Sequence, residues 1–295
     1  MLEYNKTMLN HAFLIIAHDS PELLERIIGK IKAPNHYIFI HLDQKADIGK
    51  FEYIASMGGV IFTERINVTH GGFSQVMAEL ILLKAAHYFP VHIDYFHLIS
   101  GHDYPCVSNN DFDEFFSTNR GRSYMHFDSD TEHVKWKEKI EARYKYWYHL
   151  EDYGWNKHLA KLLCGVLNKL YKKKITVDFF AGWQWFSWHR SVVDYVLTYM
   201  AENPKCILPY KYTSCFDEVF FHTLLHNKID ELNIEKNDAL RYIDWYPKRE
   251  YDTLPLVLDE RDYADIEASG KFFIRKVFLN RSDKLLDMLD KDLRV

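Results

Sequence analysis

The first hundred residues alternate short apolar runs with stretches of helical periodicity. Ala12-Phe13-Leu14-Ile15-Ile16-Ala17 has no polar position, the pattern of a strand buried on both faces of a parallel sheet. Ser20-Pro21-Glu22 then offers an N-cap, a proline at the first helical position and an acidic first turn ahead of Leu23-Leu24-Glu25-Arg26-Ile27-Ile28. Residues 37–42, 60–62 and 95–99 read as further strands, and 74–88 carries Val76, Leu80 and Leu83 at helical spacing. Strands alternating with helices predict an α/β fold with a mostly parallel sheet joined by right-handed crossovers. In such sheets ligands bind outside the carboxyl ends of the strands. That draws attention to the loops Ala17-His18-Asp19-Ser20, Asp43-Gln44-Lys45 and Ser100-Gly101-His102-Asp103-Tyr104-Pro105.

From about residue 130 to 175 the texture changes to Lys, Tyr and Trp on helical spacing, which reads as a helical insertion over a site or as a plain amphipathic helix pair. The run Lys172-Lys173-Lys174 reads as a solvated face, with contact to an anionic membrane surface as the alternative. Residues 1–11 are polar and the apolar run after them is too short for a secretory or membrane-spanning segment, so a cytoplasmic location is expected. No repeat or linker divides the chain, and one interwoven domain over 1–295 is expected.

Composition narrows the function classes. A net charge of -5 supplies no overall positive field for nucleic acid. The aromatic content could stack on sugar rings or a nucleobase, or simply fill the core. Cys106, Cys164, Cys206 and Cys215 form no C-x-x-C and read as reduced, buried thiols. There is no G-x-G-x-x-G after the first strand, no G-x-x-x-x-G-K-[ST], no G-x-S-x-G and no H-E-x-x-H, which withdraws support from nicotinamide dehydrogenases, P-loop kinases, α/β-hydrolases and zincins.

Several segments could carry chemistry. Asp43, after the second strand, could accept a hydrogen bond from a uracil imide or a ribose hydroxyl, or could cap its own loop. The paired Gly71 and Gly72 permit positive φ and close approach to a ligand, or make a tight turn. Asp217 and Glu218 precede an apolar stretch. The helix dipole accounts for them, yet one of the two should be partly buried, its pKa raised toward that of a useful base. Arg275 and Lys276, flanked by apolar residues, suit a buried anion such as a diphosphate, or form a cationic surface edge. Asp128-Ser129-Asp130 has the D-x-D spacing that holds manganese in metal-dependent enzymes of nucleotide sugars, but lies later than a metal motif would be placed.

Read together, Ala17-His18, Ile40-His41-Leu42-Asp43, Thr69-His70-Gly71-Gly72-Phe73-Ser74, residues 98–105, Gly182-Trp183-Gln184-Trp185-Phe186, Asp217-Glu218 with the run to Thr223, and Phe273-Ile274-Arg275-Lys276 resemble the core-2/I-branching β-1,6-N-acetylglucosaminyltransferase family, which includes the peptide O-xylosyltransferases. The resemblance implies a GT-A-type, Rossmann-like fold with a donor-nucleotide half over about 1–125 and an acceptor and catalytic half over about 126–295. It further implies a UDP-sugar co-substrate, a glycan acceptor, inversion, and catalysis without a metal or resident cofactor. It assigns the base to Glu218 beside Asp217, and the diphosphate to Arg275 and Lys276. His18, Asp43, Gly71, Gly72 and Asp103 would lie on the nucleotide side, and Trp136, Lys137, Arg143, Tyr144, Gln184 and Trp185 toward acceptor or donor sugar. Xylosyltransferases place their base, an Asp, where Gln184 stands, and an amide takes no proton. Branching enzymes use a second basic residue upstream of the cationic pair, for which Arg275 itself, Lys248 or Arg249 could substitute. The lack of an anchor or disulfide framework suggests a bacterial enzyme of surface-polysaccharide or lipid-linked glycan synthesis, in the cytoplasm or at the inner face of the membrane.

Overall fold

The computed structural model describes residues 8–149, 154–174, 177–249 and 253–292, so the polar stretch 1–7 and part of the region between 130 and 175 lie outside it. In chain order the elements are β1 (His11–Ala17), α1 (Pro21–Ile31), β2 (His36–Leu42), α2 (Glu52–Ala55), β3 (Val60–Phe62), α3 (Phe73–His87), β4 (Tyr95–Ser100), β5 (Asp103–Pro105), α4 (Asn109–Thr118) and β6 (Ser123–Phe127). They continue with α5 (Asp130–Lys145), α6 (Lys157–Leu170), β7 (Gly182–His189), α7 (Arg190–Glu202), α8 (Phe220–Leu225), β8 (Ile234–Glu235), β9 (Arg241–Ile243), α9 (Tyr263–Ser269), β10 (Phe273–Arg275) and α10 (Asp283–Asp292). Seven strands form one sheet in the order β3-β2-β1-β4-β7-β6-β8, and β5-β10-β9 form a second. Among the described residues of the large sheet only β7 runs against its neighbours. The fold is therefore α/β with a mostly parallel sheet flanked by helices.

Strand β1 lies between β2 and β4, which explains its unbroken apolar run. Ala12 and Leu14 enter a core shared with Val76, Leu80 and Leu83 of α3, while Phe13 and Ile15 face the core of α1 and α10, following the two-residue period of a strand. Helix α1 buries Leu23, Leu24, Ile27, Ile28 and Ile31. Each such side chain contributes at most about 1.5–3 kcal/mol, so the buried face holds the helix whatever its cap does. The expected cap is in fact absent. Pro21 takes the first turn, but Ser20 is left-handed at φ 51° and makes no cap bond, its hydroxyl being drawn to Asp19.

Two further expectations are corrected. The four cysteines are free but half-buried. Lys173 does not sit on a solvated face. Its ammonium donates to the carbonyls of Lys211 and Tyr212 at 3.2 and 2.8 Å, and burial pulls its pKa down to about 8. Helices α5 and α6 occupy the stretch read as helical. Among the described residues no helix is long and apolar enough to cross a membrane.

The register pairs Ile16 with both His41 and Ser100, so the loops after β1, β2 and β4 open at one end of the sheet. In the second sheet Arg275 lies opposite Asp103. Gly182 begins β7 where no side chain fits: a Cβ would meet His126 O at 2.0 Å and His222 Nε2 at 2.5 Å.

Candidate active site

The cationic end is built by strand register. Arg275 Nη1 donates to Asp103 Oδ1 at 3.0 Å and to Ser100 Oγ at 2.5 Å, and its guanidinium stacks 4.5 Å from the Trp185 ring centroid. Asp103 is completely buried. Its Oδ2 accepts from Ser100 N at 2.7 Å and lies 3.4 Å from Nη2 of the buried Arg241, which covers Trp185 at 4.9 Å. Asp103 and Trp185 thus do not face a ligand as expected; they hold the guanidinium groups in place. Lys276 is half-buried and, among the described residues, has no carboxylate within 4.0 Å. Burial first, then Arg275 and Arg281, keep its pKa below the usual lysine value, and a bound anion would relieve that strain. Lys248 and Arg249, considered as substitutes, are committed elsewhere, Lys248 to Asp244 and Asp265 at 2.8 and 3.0 Å and Arg249 to both oxygens of Asp262 at 2.7 Å.

At the neighbouring strand ends, exposed His18 lies 3.4 Å from Asp19, and Asp19 lies 2.9 Å from His102 Nε2. The His102 hydrogen bond is the main cause holding the Asp19 pKa down. His102 Nδ1 donates to Val277 O at 3.2 Å, tying this loop to the segment after Lys276. These three side chains converge closely enough to hold a metal ion, and among the described residues neither Asp128 nor Asp130 belongs to such a group of three. Asp43 is buried, its Oδ1 accepting from Lys45 N at 2.9 Å, so it caps its own loop.

Gly71 joins the two halves of the site. At φ 67° it takes a conformation that disfavours side chains, and a Cβ would lie 3.4 Å from Cys215 N. Its N–H donates to Gln75 Oε1 at 2.7 Å, and Gln75 Nε2 donates to Asp217 Oδ2 at 3.0 Å. Gly72 is extended at φ -89° and needs no glycine conformation. Behind Asp217, fully buried Glu79 accepts from Gln184 Nε2 at 2.6 Å. Desolvation, followed by the charge of Glu218, pushes Asp217 up to about 7; desolvation, followed by Asp217, pushes Glu79 well above the carboxylate range. The expected buried acid is therefore Asp217, not Glu218. Sequence reasoning passed over Glu79, whose one signal is a carboxylate between Ala78 and Leu80 on the apolar side of α3. Gln184 is a core partner of Glu79, and Tyr144, its ring 3.9 Å from Phe179, borders a separate cavity with Lys173 and Tyr212, so neither lines the cleft of Glu218.

Glu218 is the accessible member of the pair. Its side chain is 40% exposed and its Oε2 accepts from Arg143 Nη1 at 2.7 Å. It lines a cleft of about 200 Å³ with Asp128, Trp136, Lys139, Arg143, Trp183 and Trp245. Helix α5 presents Trp136, Lys139 and Arg143 to this cleft, spaced three and four residues apart. Lys137 is turned to a different cavity with His133 and Glu141, which corrects its assignment. Asp128 follows an irregularity in the β6–β7 pairing; burial first, then Glu132 and Glu218, raise its pKa to about 6. Asp130 instead starts α5 behind the Ser129–Glu132 capping box and is exposed. The sequence alone assigns no role to Trp183, which stands in the Gly182-to-Phe186 motif and stacks on His126 at 4.4 Å, or to Trp245.

The model of the core-2/I-branching enzyme family matches residues 11–266. The chain belongs to the core-2/I-branching enzyme family. It is 26% identical over 92% of its length to beta-glucuronosyltransferase GlcAT14C of Arabidopsis thaliana, covering 70% of that protein. To GlcAT14A of the same plant it is 27% identical over 92% of its length, covering 61%. To xylosyltransferase 2 of Homo sapiens it is 23% identical over 95% of its length, covering 33%. This branching-family chain is a glycosyltransferase, which implies a nucleotide-sugar donor and a glycan acceptor.

Proposed function

We propose that this branching-family enzyme transfers a sugar from a UDP-sugar to a hydroxyl of a glycan by a single inverting displacement without a divalent metal. One observation carries the reading: of the two adjacent carboxylates, Glu218 alone lines the cleft, oriented by Arg143 at 2.7 Å, with Asp217 buried behind it. Glu218 takes the proton of the acceptor hydroxyl, whose oxygen attacks the anomeric carbon on the face opposite the nucleotide. UDP departs toward Arg275 and Lys276, which supply the neutralisation a metal gives elsewhere. His18 and the loop of Asp43 face the uridine, and Trp136, Trp183 and Trp245 offer flat faces to acceptor rings.

UDP-N-acetylglucosamine is the proposed donor, on the resemblance to branching enzymes; the relatives' names make UDP-glucuronate and UDP-xylose the alternatives. Gln184 weighs against xylosyl transfer by the Asp-based route, since its amide is buried on Glu79. A second proton acceptor, Asp128, is favoured by its place in the same cleft and a pKa that burial raises to about 6.

Calorimetric titration with UDP-N-acetylglucosamine, UDP-glucuronate, UDP-xylose, UDP-glucose and UDP-galactose, in EDTA and then in manganese, tests donor and metal together. Binding only with manganese removes the metal-free mechanism. Transfer by Glu218→Gln and Asp128→Asn separates the two bases: loss of turnover with UDP affinity retained marks the proton acceptor.

A further inference from the structure

Helix α6 carries an apolar stripe that nothing described in the chain covers. Leu159, Leu162, Val166 and Leu170 are 45, 65, 45 and 80% exposed. At 100° per residue they fall within roughly a quarter of the helix circumference, so they form one strip rather than scattered points. Ala160 is fully buried, so the strip is not simply the inward side of the helix. Half-exposed Trp155 precedes the helix and exposed Tyr171 follows it, placing an aromatic ring at each end.

The charge along the helix and the turn after it is of one sign. From Trp155 to Val177 the sequence holds six lysines (157, 161, 169, 172, 173 and 174) and no Asp or Glu, on a chain whose net charge is -5. A partner of neutral or basic surface would gain nothing from that segregation. An anionic lipid surface matches the leucine strip together with Lys169, which falls next to Leu162 around the helix, and the exposed Lys172 and Lys174 that follow it; Lys173 is turned inward.

We propose that α6 is a membrane-surface helix that docks this enzyme, without spanning, on an anionic bilayer. The helix is fixed to the rest of the molecule by Asn168, which accepts from Trp147 N at 2.6 Å and donates to Trp147 O at 3.1 Å, and by Lys173 N, which donates to Lys145 O at 2.8 Å. Lys145 ends α5, two residues beyond Arg143 in the cleft. Docking through α6 therefore holds the acceptor cleft in a set orientation to the lipid surface, which suits an acceptor glycan carried on a membrane lipid.

The test is co-sedimentation of the full chain with vesicles of phosphatidylcholine alone and of phosphatidylcholine mixed with phosphatidylglycerol. Binding is expected to the anionic vesicles alone, and to fall about tenfold or more when salt is raised from about 0.1 to 0.5 M. Leu162→Glu with Leu170→Glu, and separately Lys169→Glu with Lys172→Glu, should each weaken it about tenfold while the far-ultraviolet circular dichroism and UDP affinity stay as in the parent. A parent chain that ignores anionic vesicles overturns the proposal, as do variants that bind like the parent. A parent dimer that the leucine variants turn into a monomer assigns the strip to a second copy instead. The parent chain decides the matter even where a variant fails to fold.

Discussion

Replacing Asp103 by Asn tests whether that residue holds the cationic centre or touches the ligand. Asp103 is completely buried between Arg241, itself buried, and Arg275, and among the described residues it is the carboxylate within 4.0 Å of both. Asn keeps an oxygen for Ser100 N but removes the negative charge, leaving two guanidinium groups without a counter-ion. Breaking a buried pair by removing one partner costs about 3–5 kcal/mol. Because Asn retains one acceptor, the lower end, about 3 kcal/mol, is expected. For a chain of this size that corresponds to a fall in Tm of roughly 5 °C, read by circular dichroism and by urea unfolding. UDP affinity, measured by calorimetry well below the new Tm, should fall as well, because Arg275 loses the oxygen that aims it. Adding Arg241→Met to Asp103→Asn should recover part of the stability, since the most deeply buried cation is then gone. An Asp103→Asn protein with a Tm within about 2 °C of the parent and a specific loss of UDP binding would refute the reasoning and return Asp103 to the ligand.

Other outcomes follow from the same geometry. Glu218→Gln should lower turnover by about 10²–10⁴ and leave UDP binding intact, as seen in single-turnover kinetics beside calorimetry; unchanged turnover would move the proton to Asp128. Asp217 is an acid whose folded pKa, about 7, stands above its unfolded value, so the native state holds the extra proton and its contribution to stability is full below about pH 4 and lost as pH rises through 7. Asp217→Asn should therefore gain stability relative to the parent across that window, and a Tm difference that does not vary between pH 4 and 8 would contradict the buried-acid assignment. Lys276→Ala should weaken UDP by roughly 10–100-fold in EDTA, the loss of one charge-assisted contact of about 1.5–3 kcal/mol; an unchanged Kd would place the diphosphate elsewhere. Gly71→Ala should destabilise by about 1–2 kcal/mol because φ is 67° there, and its urea midpoint reads this directly.

The alternation of apolar runs and helical stretches determined the sheet, its helices and the end at which its loops open, because burial on both faces of β1 demands an unbroken apolar run and α1 an amphipathic one. The family was legible in the order of the short motifs, and the adjacency of Asp217 to Glu218 and of Arg275 to Lys276 was legible in the chain itself. What each of those residues faces was not. The antiparallel entry of β7 brings Gln184 onto Glu79 and Trp185 under two arginines, and nothing in the run Trp-Gln-Trp marks its direction. Which of Asp217 and Glu218 is desolvated depends on how the turn at 216–218 packs against α3 through Gly71 and Gln75, residues some 140 positions away. Charge, spacing and residue type are local and can be read along the chain; desolvation and pairing are set by whatever the fold brings within a few ångströms, and only the tertiary structure decides them.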